Sequence, residues 1–110
     1  MASAVSLEDA YLDARYACGA LRIVAKRAGR LEEAKMLGEG ITLLCAELRR
    51  LLAREGRDKV SRPFPSELLG ESLDYLAKEC LEASRRLQAA AGSRAAEILA
   101  SAAGRLLGRE

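Results

Sequence analysis

Cys18, Cys45 and Cys80 are the most reactive side chains in this sequence. Thiolates attack electrophiles and bind soft metals, so three that converged would make a metal or redox site. Their spacing argues against one, because metal sites draw on a close C-x-x-C pair and none is present. Each cysteine instead falls on or beside the apolar face of a different expected helix, where a thiol behaves as a small apolar side chain. The expectation is three buried, reduced cysteines in a cytoplasmic protein.

Histidine is missing altogether. That removes Ser-His-Asp and Cys-His nucleophile systems, the Glu-x-x-His ligands of di-iron bundles and the usual zinc-hydrolase motifs. Gly38-Glu39-Gly40 lies inside an expected helix and does not follow a strand, so it is no phosphate cradle. Glu71 with Asp74, and Glu79 with Glu82, share a helix side, but carboxylates catalyse only where a cleft shifts their pKa. On a charged helix face they are solvated. The sequence therefore predicts a protein that is not an enzyme and holds no cofactor or metal.

Arg49, Arg50, Arg54, Arg57, Lys59 and Arg62 lie within fourteen residues, opposed by Glu55 and Asp58. Such a cluster can grip phosphates. Base near a helix C-terminus also compensates the helix dipole, and no aromatic residues are interleaved for base stacking. A formal charge of +2 adds little, and no helix-turn-helix spacing is evident. Accessory nucleic-acid binding through this cluster is accordingly the second functional reading.

The first reading comes from apolar residues out of place. At 100° per residue, Leu12, Tyr16 and Ile23 align within the charged side of the first helix, and Met36 and Leu43 sit on the charged side of the second. An apolar strip that the core does not require is an interface to a second copy or another chain. The leading expectation is a non-enzymatic interaction or assembly protein, a homo-oligomer whose rim of arginine–glutamate pairs fixes register.

The elements that position these groups are helices. Half of the residues are apolar, and there are two prolines, one phenylalanine and no tryptophan. Alanine, leucine, glutamate and arginine dominate, and strand-type runs are missing. No apolar run approaches the roughly 20 residues that cross a bilayer, and the N-terminus has no charged-then-apolar leader pattern. Asparagine is absent and Gln88 is the one amide side chain, a bias that fits a thermophilic source or a GC-rich genome.

Ser6-Leu7-Glu8-Asp9 reads as a capping box opening a helix over 7–28, with Leu7, Tyr11, Ala14, Cys18, Leu21 and Ala25 on its core side. Small residues there let a neighbour approach closely. Gly29 ends it, and a second helix over 31–55 carries Ala34, Leu37, Ile41, Leu44, Leu48 and Leu51. The phrase AGRLEEA at 28–34 is similar to the turn of tetratricopeptide and microtubule-interacting-and-trafficking hairpins. Leu37 and Gly38 stand where those families place an aromatic, and no repeat of about 34 residues follows, so no family is assigned. A loop over 56–65 holds Pro63, Phe64 and Pro65. Leu69, Leu73, Leu76, Cys80, Ala83 and Leu87 predict a third helix over 66–91. Gly92-Ser93 then breaks or kinks the chain before a fourth over 93–107. The predicted fold is an all-α, up-down four-helix bundle.

Overall fold

The computed structural model describes residues 6–57 and 62–108. Among them are four α-helices: α1 (Leu7–Arg27), α2 (Leu31–Arg54), α3 (Leu73–Ala91) and α4 (Arg94–Leu106). The all-α bundle implied by the apolar periodicity is the architecture observed. Ser6 caps α1 by accepting a hydrogen bond from the Asp9 amide at 3.1 Å, and Glu8 and Asp9 occupy the positive end of the helix dipole. Gly29, at φ +80°, turns the chain directly into α2.

The third helix begins later than its apolar repeat suggests. Ser66–Gly70 is a 3-10 helix, and α3 starts at Leu73 behind a new cap, Ser72, which accepts from the Tyr75 amide at 3.1 Å. Leu68, Leu69 and Leu73 all pack against the core, so the apolar repeat runs through the break and hides it. Between α3 and α4 the chain breaks fully. Gly92 takes the left-handed conformation at φ 61°, and Ser93 caps α4 by accepting from the Ala96 amide.

The order of neighbours differs from a simple up-down bundle. α1 packs on α2 and α3, α4 packs on the same two, and α2 and α3 stand diagonally opposed. Glu47, near the end of α2, meets Tyr11 at the start of α1 and Ser93 at the start of α4. At the other end Arg105 of α4 meets Glu32 at the start of α2. Hence α1 and α4 run one way and α2 and α3 the other. Two antiparallel hairpins face each other, and the chain crosses from one to the other along α1, where the 3-10 helix packs.

Leu21, Leu37, Leu44, Leu76, Leu87 and Leu99 are fully buried at the centre. Each buried leucine stabilises the fold by about 1.5–3 kcal/mol relative to exposure. Ala14, Cys18, Ala77, Cys80 and Ala83 are buried as well, and these small side chains let α1 and α3 approach to 4.7 Å between the Cα atoms of Cys18 and Cys80.

Candidate functional site

The apolar strip of α1 is occupied from within. Leu12, expected at an interface, is buried in the core with 2% exposure. Tyr16 packs edge-on against Phe64 at 5.7 Å between ring centroids, and its hydroxyl donates to the Arg62 carbonyl at 2.5 Å. The Arg62 guanidinium lies 5.6 Å from the same ring. Arg62 and Phe64 are thus what cover Tyr16. Met36 and Leu43 are half-buried against the core, and the Met36 sulfur accepts from Arg105. Ile23 stays at the surface, half-buried in a depression with Arg22, Lys26 and Arg27.

The basic cluster does not converge on one face. Arg57 forms a two-nitrogen pair with Glu8 and lies 3.6 Å from Glu55, and the Glu8 carboxylate raises its already high pKa. Arg62 binds Asp13 at 2.7 Å and approaches Asp9 at 3.6 Å. Both arginines fasten the crossing segment to α1. Arg49, Arg50 and Arg54 are exposed and have no ion-pair partner among the described residues, while Lys59 lies outside those residues.

The expectation of three reduced cysteines is corrected. Cys18 and Cys80 form a disulfide between α1 and α3, fully buried, with the Ser84 hydroxyl 3.5 Å from the Cys18 sulfur. Cys45 is the free cysteine and is half-buried. The close approach of two helices, which the linear spacing cannot show, brings the pair together. Among the described residues no group of three cysteine and carboxylate side chains is placed to hold a metal ion.

Glu47 organises the polar interior at one end. It accepts from Ser93 Oγ at 2.6 Å, from the Tyr11 hydroxyl at 3.2 Å and from the Ala95 amide at 3.3 Å. Burial, reinforced by the Glu47 charge, raises the Tyr11 pKa above the usual phenol value. At the other end Glu33 is held below the usual carboxylate range, first by its own backbone amide and then by Arg30 at 3.4 Å. These groups fix helix ends.

The surface that sequence reasoning missed lies on the outside of the α1–α2 hairpin. A groove of about 580 Å³ is lined by Arg22 and Lys26 of α1 and by Leu31, Ala34, Lys35, Gly38, Glu39, Ile41 and Thr42 of α2. Arg22, Lys26 and Lys35 have no ion-pair partner among the described residues. Leu31 is 62% exposed. Gly38 makes room for Arg22, whose Nε would lie 3.1 Å from a Cβ placed there. The available signal was the hairpin itself: folding at Gly29 sets Arg22 opposite Gly38, so cations distant in sequence gather at one place.

Comparison with known proteins identifies no relative: no family model, curated protein or solved structure matches the chain. Its function is read from its own surface.

Proposed function

We propose that this protein is a non-enzymatic docking module that holds an anionic partner in the groove between α1 and α2. The observation carrying this reading is the set Arg22, Lys26 and Lys35 around one groove, with no carboxylate paired to any of them among the described residues. Unpaired cations beside an apolar floor favour a partner that supplies the missing negative charge. A second copy of this chain fits less well, because a two-fold contact centred on the groove would bring two copies of the same cationic rim together. With Leu12 and Tyr16 covered, self-association loses the residues on which it most depended.

Nucleic-acid binding at the end of α2 is the second reading, favoured by exposed, unpaired Arg49, Arg50 and Arg54. A titration of labelled protein with poly-L-glutamate and with polyphosphate, followed by amide resonances, separates the two. Salt-sensitive shifts at residues 22–42, lost in Arg22→Glu/Lys26→Glu/Lys35→Glu, support the groove. Shifts confined to residues 49–57 move the assignment to the second site, and no shifts reject both.

No helix among the described residues is long and apolar enough to cross a membrane. For the compartment, a buried disulfide in a chain without asparagine fits the cytoplasm of a hyperthermophile, where intracellular disulfides persist.

A further inference from the structure

We infer that the segment docking in the α1–α2 groove is an amphipathic α-helix with acidic flanks, an inference that rests on the docking reading above. The floor of the groove is apolar: Leu31, Ala34 and Ile41 line it, and Leu31 is the most exposed large apolar side chain among the described residues. Thr42 has turned its hydroxyl back to the Gly38 carbonyl at 3.0 Å, so its polar atom is already satisfied. A ligand lying here must bring an apolar stripe to cover Leu31 and Ile41.

The rims specify the rest. Arg22 and Lys26 are one turn apart on α1, about 6 Å along the axis, and Lys35 faces them from α2. Carboxylates four residues apart on a partner helix have the same repeat. Because Gly38 lacks a side chain, Arg22 lies low over α2, at the edge of the floor. There its planar guanidinium can meet a carboxylate while the partner's apolar face stays down. From Leu31 to Thr42 the groove spans roughly 16 Å, about three turns of helix. A third helix against an antiparallel pair also packs by the ridges-into-grooves rule.

Nucleic acid matches this site poorly. None of the lining residues is aromatic, so bases have nothing to stack on. The apolar floor also offers a sugar-phosphate chain no polar partner.

The test uses the full chain, labelled for amide resonances, and four probes. One is a peptide of about 16 residues, long enough to hold a helix, with leucine at i, i+3, i+4 and i+7 flanked by glutamate. The others are its glutamine isostere, a single-stranded oligonucleotide and polyphosphate. The glutamate peptide should shift residues 22–42 and bind about tenfold more tightly than the glutamine peptide at low salt. Leu31→Ser, a change at an exposed site, should weaken the peptide severalfold and leave polyphosphate unchanged. Equal binding of the two peptides, or tighter binding of the oligonucleotide in the groove, overturns the inference. Polyphosphate shifting the groove while neither peptide does would sink the helix and leave the anionic docking reading standing. Silence from every probe would remove both.

Discussion

Glu47, near the end of α2, accepts a 2.6 Å hydrogen bond from Ser93 Oγ, the residue that caps α4. The same hydroxyl accepts from the Ala96 amide at 3.0 Å, and the other Glu47 oxygen accepts from the Ala95 amide at 3.3 Å. The first turn of α4 is therefore held jointly by its own cap and by a carboxylate from the neighbouring helix. Ser93→Ala should cost about 1–2 kcal/mol, and Glu47→Ala about 2–3 kcal/mol. Because both act on one turn, the double variant should lose less than the sum, by about 1 kcal/mol in urea denaturation. Strictly additive losses would mean that the two groups act independently.

Tyr11 links this network to pH. Its hydroxyl faces Glu47 in a buried setting, and burial, then the Glu47 charge, raises its pKa in the folded protein. A raised phenol pKa contributes stability that is fully present below the unfolded value and is lost as pH rises through the folded one. Stability should therefore fall on the alkaline side, above about pH 10. Tyr11→Phe should remove that part of the alkaline decline, at a loss of about 1 kcal/mol at neutral pH from the missing hydrogen bond. An unchanged alkaline limb in the variant would reject the assignment to Tyr11.

The elements most legible in the sequence were those governed by local chemistry. Ser6, Gly29 and Gly92-Ser93 act as written, because a cap or a left-handed turn depends on adjacent backbone. Less legible was anything set by which helices meet. Tyr16 reads as spare because a helical wheel counts neighbours on one side, whereas the crossing segment supplies cover on a second, and Leu12 reads as spare although it belongs to the buried core. Cys18 and Cys80 read as packing residues because their approach depends on α1 and α3 being neighbours. The late start of α3 was hidden for a related reason, since leucines on both sides of Ser72 serve the same core. The groove is not legible in the sequence because Arg22 and Lys26 are distant from Lys35 along the chain, whereas the basic residues of 49–62 are close together.

Two glycines in helices make opposite predictions. A Cβ on Gly40 would lie 2.7 Å from Leu99 Cδ2 and 2.9 Å from its Cγ, well inside contact distance. Overpacking there costs about 1–3 kcal/mol, against about 1 kcal/mol gained in helix propensity. Gly40→Ala should therefore destabilise by about 1 kcal/mol. Gly19, in mid-α1, has no atom within 4 Å of its Cβ direction. Gly19→Ala should stabilise by roughly 0.5–1 kcal/mol. If both alanines raise the thermal midpoint, α2 and α4 are not as close at Gly40 as described.

The Cys18–Cys80 disulfide ties the α1–α2 hairpin to the α3–α4 hairpin across 62 residues of sequence. Closing a loop of that length in the unfolded chain should stabilise the fold by roughly 4 kcal/mol. Reduction should lower Tm by roughly 20 °C while leaving helix content at room temperature largely intact, since the leucine core persists without the link. Both cysteines are fully buried, so a reductant reaches the bond only when the bundle opens. Reduction should accordingly be slow in buffer and fast in denaturant. Thiol titration of the unfolded, unreduced protein should find Cys45 alone, and three reactive thiols would show that the two hairpins are held together by packing only.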